Sequence, residues 1–167
     1  YSDNSTWSRG QAWAIYGYTM VYRETGNKKF LSAAEKAVKV FLKQLPEDLI
    51  PAWDFNAGKK GYMPEGESYA AQYAGEELRD VSAAAITCSA LFELGELTGK
   101  KKYVKTAVKM LHSLGSPAYM APIGGNACFL LEHSVGSLPH RSEIDKPLVY
   151  ADYYFLEALC RYKRLAQ

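Results

Sequence analysis

The chain has 167 residues, of which 48% are hydrophobic and 13% aromatic, enough to build the core of one domain. Its formal net charge of +2 and its scattered lysines argue against a protein that binds nucleic acid or a membrane surface. No apolar stretch approaches the roughly 20 residues that a bilayer-spanning helix needs, so we expect no membrane partner.

The first predicted helix opens with the run from Trp7 to Trp13, which combines two tryptophans with Arg9. An indole ring packs against a sugar ring, and a guanidinium donates two parallel hydrogen bonds to a carboxylate. The run would therefore suit an acidic sugar. In the alternative interpretation, Arg9 pairs with an internal Asp or Glu and both indoles belong to the core.

Two stretches repeat each other at an offset of 73 residues, the first beginning at Thr25 and the second at Thr98. Each follows an apolar segment and precedes an amphipathic one of helical period, over residues 30–45 and 103–114. The glycine of each Thr-Gly joint tolerates the left-handed backbone that ends a helix. The pattern predicts antiparallel helical hairpins.

The two helices of each predicted hairpin differ in polarity. Residues 80–97 leave almost no polar face, which is typical of a helix buried on all sides. The second helices instead carry lysine faces, namely Lys36, Lys39 and Lys43 in one copy and Lys105 and Lys109 in the other. Buried helices inside half-exposed ones indicate an α/α toroid, although a stacked superhelical solenoid alternates its helices in the same way.

A fifth helix is predicted from about Val149 to the end, with one side formed by Tyr153, Leu156, Leu159, Cys160 and Tyr162. Long connections over residues 46–79 and 115–148 separate the helices, and such loops often carry binding groups. The three cysteines, Cys88, Cys128 and Cys160, are interpreted as buried free thiols. The histidines lack metal-ligand spacing, so no zinc site is expected.

Asp54 and Asp80 invite interpretation as a carboxylate pair for acid and base catalysis. Asp80 more simply caps the helix that begins there, and Asp54 is expected to tie loops together. Asp145 and Asp152 are expected to fix the last loop.

Four motifs in order resemble glycoside hydrolase family 88, the unsaturated glucuronyl hydrolases. They run from Trp7 to Trp13, from Pro51 to Phe55, from Arg79 to Ala85 and from Ser142 to Tyr154, and so cover essentially all of the chain. A sister family that acts on unsaturated rhamnogalacturonan is more weakly similar, because Gln11-Ala12 suits the glucuronyl group better.

The resemblance implies an all-α fold in which residues 1–167 form the C-terminal part of a single (α/α)6 barrel domain. About five helices and long loops would be present, and the upstream helices would be absent. The implied reaction is hydration of the C4=C5 double bond of unsaturated uronyl oligosaccharides that polysaccharide lyases release. The family's catalytic Asp precedes Tyr1, so no catalytic residue is expected here and the chain alone should be inactive. The resemblance implies no cofactor, and a bacterial cytoplasmic or periplasmic location.

By the same resemblance, Trp7, Arg9 and Trp13 line the subsite for the unsaturated uronate, with Arg9 on its carboxylate or an adjacent hydroxyl. Ser134 and Ser137 fit the serines of a Ser-x-x-Ser-x-Lys pattern that holds a sulfate in some members. The last position is Pro139, which removes the charge that would make sulfate binding strong. The other interpretation of this loop is an ordinary turn.

Two competing interpretations remain. A non-enzymatic repeat protein of the tetratricopeptide kind also stacks helical hairpins, with a period of about 34 residues, and 73 is close to twice that. The long loops and the run from Trp7 to Trp13 argue against it. The other keeps the sugar-binding barrel without turnover, with copies of the chain self-associating through an open barrel edge.

Overall fold

The computed structural model describes residues 5–56, 59, 78–165 and 167, and these contain five α-helices. In chain order they are α1 (Ser8–Thr25), α2 (Lys28–Lys43), α3 (Val81–Thr98), α4 (Lys101–Leu114) and α5 (Val149–Leu165). The five predicted helices and the all-α class are confirmed. Most of the first long connection lies outside the described residues.

The second long connection contains regular structure that was not predicted. An antiparallel hairpin is formed by β1 (Ser134–Ser137) and β2 (Ser142–Lys146), and a single 3-10 turn spans Asn126–Cys128. The strands are four and five residues long, too short to leave a clear alternating pattern in the sequence. The hairpin positions one wall of the pocket described below.

Glycines end the first helix of each hairpin, as predicted. Gly26 and Gly99 follow α1 and α3 with φ values of 63° and 66°, a left-handed conformation that costs glycine little. Asn27 then caps α2 by accepting a hydrogen bond from the Lys29 backbone N–H at 3.0 Å. The chain therefore reverses within a few residues and packs α2 against α1 and α4 against α3.

Helix α3 lies at the centre of the fold. Every residue from Val81 to Gly95 is buried, and the helix packs against α1, α4 and α5. This confirms the prediction of a helix buried on all sides. By length and composition α3 would also pass as a membrane-spanning helix, but 83% of it is covered by the rest of the structure, as in a core helix.

The helices α1, α3 and α5 run in the same direction and form an inner layer. Arg9, Asp80 and Tyr150, near their first turns, lie together at one end, whereas Arg23, Glu93 and Arg161 form ion pairs near their last turns. The outer layer is α2 and α4. The described ends of the first long connection and the β-hairpin lie at the end where the inner helices begin, so this end presents the candidate site.

The predicted apolar side of α5 is exposed, with Tyr153 at 59% and Leu156 at 48%, and the helix buries Ala151, Phe155 and Ala158 against its neighbours. One expectation about side-chain burial is corrected. Cys88 is a buried free thiol as expected, but Cys128 and Cys160 are exposed. Cys128 lies in the 3-10 turn, and Cys160 is not among the residues that α5 buries.

Candidate functional site

The start of α1 is attached to the loop that carries Trp53. The Ser8 backbone N–H donates to the Trp53 carbonyl at 2.9 Å, and the Trp53 N–H donates to the Leu78 carbonyl at 2.8 Å. Asp54 is fully buried and accepts backbone hydrogen bonds from Thr6 and Asn56 at 2.9 and 2.8 Å. The expectation that Asp54 ties loops together is confirmed.

A cavity of about 350 Å³ lies between the start of α1, this loop and the β-hairpin. Its wall is formed by Trp7, Arg9, Trp53, Gly136, Ser137, Leu138 and Pro139. Two of these wall residues, Trp53 and Leu138, pack with the buried Val135 in a small hydrophobic cluster. The wall therefore combines aromatic rings, one cation and polar groups of the β1 strand, a mixture typical of ligand sites.

Arg9 is 4% exposed and is the most heavily hydrogen-bonded side chain of this wall. Its Nη1 group donates to Asp80 Oδ2 at 3.0 Å, to Ser82 Oγ at 3.0 Å and to the Val135 carbonyl at 2.7 Å. Its Nη2 group donates to the Gly136 carbonyl at 2.6 Å. The guanidinium thus joins the starts of α1 and α3 to strand β1.

Aromatic rings flank the same guanidinium. The Arg9 Cζ atom lies 5.0 Å from the centre of the Trp7 ring and 5.2 Å from that of Tyr150, on the first turn of α5. Both distances are within the range of cation–π attraction. Gly10 leaves room for the Trp7 ring, since a Cβ atom there would lie 2.8 Å from Trp7 Cε3.

Asp80 has both of the structural roles that the sequence allowed. It caps α3 by accepting from the Ser82 N–H at 3.1 Å, which confirms the capping prediction, and it forms the ion pair with Arg9. Its complete burial raises the pKa of the carboxyl group, and Arg9 and the hydrogen bonds at the helix start oppose that rise. The ion pair of the alternative interpretation is therefore observed, but its two core indoles are not, because Trp7 and Trp13 are exposed. Contact of Arg9 with a substrate stays a prediction.

The structure does not gather all the predicted site residues in one cavity. Trp13 is 36% exposed and lies outside the wall, with its ring centre 5.2 Å from that of Tyr154 on α5. Ser134 is fully buried, and within the described residues its Oγ atom has no hydrogen-bond partner. Ser137 does reach the wall, where its Oγ atom lies 2.8 Å from His140 Nδ1.

The remaining loop predictions agree with the geometry. The Asp152 carboxylate accepts from the backbone N–H groups of Leu130 and Leu131 at 2.8 and 3.0 Å, and Asp145 lies 2.8 Å from His133 Nδ1. Both aspartates therefore fix the last connection, as expected. Across the described parts of the chain, no group of three or more His, Cys, Asp or Glu side chains is arranged to hold a metal ion.

Sequence reasoning missed several residues of the site. Trp53 and Tyr150 belong to motifs that carry the resemblance but were not assigned to the site, and Gly136 and Leu138 carried no signal of their own. Their positions depend on which strand and which helix start lie together at this end of the fold. Trp53 and Tyr150 could have been proposed from their motifs.

Comparisons with known proteins agree on one relationship. A curated unsaturated glucuronyl hydrolase of Formosa agariphila is 47% identical over 167 residues, covering 99% of this chain and 38% of that protein. The crystal structure of an unsaturated glucuronyl hydrolase specific for heparin matches with a TM-score of 0.80 at 43% identity, over 97% of this chain and 41% of that one.

A further match is a mutant of unsaturated glucuronyl hydrolase from Streptococcus agalactiae, complexed with dGlcA-GalNAc6S. It has a TM-score of 0.81 at 31% identity and covers 98% of this chain and 41% of the other. No protein family model matches the chain. The chain spans about two fifths of the length of the curated relatives it matches.

Proposed function

Because this chain is a relative of the unsaturated glucuronyl hydrolases of glycoside hydrolase family 88 and corresponds to a C-terminal part of them, we propose that it supplies part of the substrate pocket of such an enzyme. The substrate is an unsaturated uronyl oligosaccharide of the kind released by polysaccharide lyases. The reaction is hydration of the C4=C5 double bond, after which the glycosidic bond breaks by rearrangement. Residues 1–167 form one part of a single (α/α)6 barrel domain.

The cavity between Trp7 and strand β1 is the observation that carries this proposal. Its volume of about 350 Å³ is within the range of small-molecule sites. Trp7 is 42% exposed and offers a ring face to a sugar. Beside it, Arg9 and the Ser137 hydroxyl supply polar groups that can orient a charged ring.

Each predicted site residue has an assigned role in the proposal. Trp7 stacks on the unsaturated uronate, and Arg9 faces its carboxylate or an adjacent hydroxyl from a position that internal hydrogen bonds fix. Trp13, farther along α1, contacts the sugar only where the substrate extends toward α5. Ser137 lies on the side of the leaving sugar, while the buried Ser134 supports the same strand.

The acid and base that the reaction requires belong, in this proposal, to another part of the complete enzyme. Hydration needs a carboxyl group that protonates C4 and then takes a proton from the water attacking C5. None of the described residues that line the cavity is a carboxylic acid. Asp54 and Asp80 are the two aspartates that the sequence offered as a carboxylate pair. Asp54 attaches loops to one another, and Asp80 caps α3. The residues of this chain therefore bind and orient the substrate.

Loss of the vinyl-ether absorbance of an unsaturated chondroitin disaccharide tests this proposal. The assay is run on this chain and on a version extended upstream to the full length of the relatives. We expect decay with the extended version and none with the chain alone. Decay with neither version contradicts this substrate class, and decay with the chain alone contradicts the assignment of the catalytic carboxyl group to the missing part.

The same proposal includes association of the chain with a second copy through the apolar side of α5. Six large side chains are exposed there, namely Val149, Tyr153, Leu156, Leu159, Tyr162 and Leu165. Exposed apolar side chains in this number favour burial in an interface. In a complete barrel the same side chains would face neighbouring helices of the same protein.

A further inference from the structure

The outer helices α2 and α4 carry a charge that the net charge of the chain conceals. Helix α2 has five lysines and one acidic residue, Glu35, and α4 has four lysines and no acidic residue. All nine lysines are exposed, although the formal charge of the whole chain is only +2. They are Lys28, Lys29, Lys36, Lys39, Lys43, Lys101, Lys102, Lys105 and Lys109.

The fold brings these two helices together along one groove. Glu35 Oε1 on α2 accepts from Lys100 Nζ at 2.5 Å and from the Tyr103 hydroxyl at 2.7 Å, across the gap to α4. Next to these contacts lies a groove of about 530 Å³. Four lysines line it, Lys36, Lys39, Lys100 and Lys102, and its floor includes Val38 and Leu42.

The only acidic side chain in this lining, Glu35, is already neutralised by its neighbours. The Lys100 ammonium, followed by the Tyr103 hydroxyl, lowers the pKa of Glu35, so it stays ionised and paired. Within the described residues, Lys36 and Lys39 form no ion pair. They lie about one helical turn apart on α2 and leave a positive potential over the groove.

We propose that this groove and the lysines around it, together called the basic groove, bind a linear acidic polysaccharide at a site separate from the catalytic pocket. The choice of a polysaccharide rests on the proposed function, since the enzyme would work on fragments of such polymers. The charge and the groove do not depend on that function. Binding here would keep the protein on the polymer from which its substrates are released.

The side chains of the basic groove fit a glycan better than a nucleic acid. Among the described residues, the lining contains no arginine for bidentate phosphate contacts, and its one aromatic ring, Tyr103, is 4% exposed and unable to stack on a base. Lysines instead act as separate point charges, which match carboxylates or sulfates repeated along a chain. The half-buried Leu42 side chain gives the sugar rings an apolar contact between those charges.

Intact chondroitin sulfate with saturated ends is the probe, because it lacks the double bond that the pocket would recognise. Its affinity for the chain is measured by titration calorimetry at several salt concentrations. The variant Lys36→Gln/Lys39→Gln is compared with Lys146→Gln/Lys163→Gln, which removes two exposed lysines from β2 and α5. Both variants lose the same charge, so only the position differs.

We expect the groove variant to bind at least about tenfold more weakly and its salt dependence to fall by about one unit of slope per lysine removed. The control variant should bind nearly as the parent chain does. Equal losses of affinity in the two variants would overturn the basic groove as a site. The same conclusion would follow if the parent chain did not bind the polymer at low salt. Equal or tighter binding of a DNA duplex would overturn the polysaccharide as its ligand.

One further variant separates this inference from the proposed function. Trp7→Ala alters the pocket and should leave the affinity for the intact polymer unchanged. If polymer binding falls with Trp7→Ala as much as with the groove variant, the polymer occupies the pocket and the separate site is wrong. The hydration assay described above is unaffected by either result, so each idea fails independently.

Discussion

The guanidinium of Arg9 lies 3.0 Å from the carboxylate of Asp80, a residue 71 positions away in the sequence, and both side chains are buried. This contact fixes the start of α1 against the start of α3. The remaining hydrogen bonds of Arg9 reach the carbonyls of Val135 and Gly136, so the same side chain also positions one wall of the pocket. Stability and site geometry therefore depend on one ion pair.

Removing the cation should destabilise the fold more than removing both charges. Arg9→Met leaves Asp80 buried without its partner, which we expect to cost about 3–5 kcal/mol of unfolding free energy. Arg9→Met/Asp80→Asn should lose less stability than Arg9→Met alone, and less than the sum of the losses in Arg9→Met and Asp80→Asn. Urea unfolding of the four chains measures this coupling. Arg164→Met, at an exposed position, should change stability by less than about 0.5 kcal/mol, and additive losses would show that the pair is not coupled.

Gly10→Ala should displace the Trp7 ring. Its new Cβ atom would lie 2.8 Å from Trp7 Cε3, closer than carbon atoms approach, so the indole must move away from Arg9. We expect greater quenching of tryptophan fluorescence by acrylamide and weaker binding of an unsaturated disaccharide. Gly17→Ala on the same helix meets no atom within 4 Å and should stabilise the chain by about 0.5–1 kcal/mol. Identical behaviour of the two variants would contradict this account of Gly10.

Pro139→Lys should increase preference for a sulfated substrate. Pro139 is exposed and lines the pocket beside Ser137, so a lysine there would bring a positive charge close to the leaving sugar. In the extended enzyme we expect the ratio of kcat/KM for sulfated over unsulfated disaccharides to rise about tenfold, the value of one favourable charged contact. Ser137→Ala should lower that ratio, whereas Ser134→Ala should mainly change stability. An unchanged ratio in Pro139→Lys would remove the sulfate role from this loop.

Glu35→Gln should destabilise the chain at neutral pH and have less effect in acid. Lys100, followed by Tyr103, lowers the pKa of Glu35 below its ordinary value of 4.5, so the folded chain favours the ionised form. This contribution is present above pH 4.5 and is lost as the pH falls through the lower folded value. For a partly exposed pair we expect about 0.5–1 kcal/mol at pH 7.

Urea unfolding at pH 7, 5 and 3 measures the difference in unfolding free energy between Glu35→Gln and the parent chain. Glu96→Gln is the control, since Glu96 is exposed and forms no ion pair within the described residues. If the loss of unfolding free energy in Glu35→Gln is the same at all three pH values, the ion pair of Glu35 with Lys100 does not contribute to stability.

Leu156→Glu should weaken self-association of the chain. Leu156 is 48% exposed at the middle of the apolar side of α5, where a carboxylate in an interface would lose its hydration. Sedimentation velocity over a range of concentrations should show a dimer for the parent chain and a monomer for the variant. Lys163→Gln lowers the charge by the same one unit at another exposed position of α5 and should keep the dimer more nearly intact. A parent chain that is monomeric at every concentration would contradict the proposed association.

Much of the fold could be predicted because helices are encoded locally. The periodic apolar residues and the Thr-Gly joints located all five helices to within a few residues, and the unbroken apolar pattern of residues 80–97 identified the buried one. The β-hairpin was missed since its short strands derive their stability from packing of Val135 and Leu138 on Trp53. Periodicity identified an apolar side of α5 but could not show whether another element covers it.

The sequence by itself determined the helices, the glycines that end α1 and α3, the cap at Asp80, and the resemblance on which the proposed function depends, because each rests on neighbouring residues or on motifs. Only the tertiary structure decided that Arg9 pairs with Asp80, that Trp7 lines the cavity while Trp13 lies outside it, and that lysines of two separate helices flank one groove. Those arrangements depend on contacts between residues far apart in the chain. The packing of α1, α3 and α5 around a shared core is what brings such residues within reach of one another.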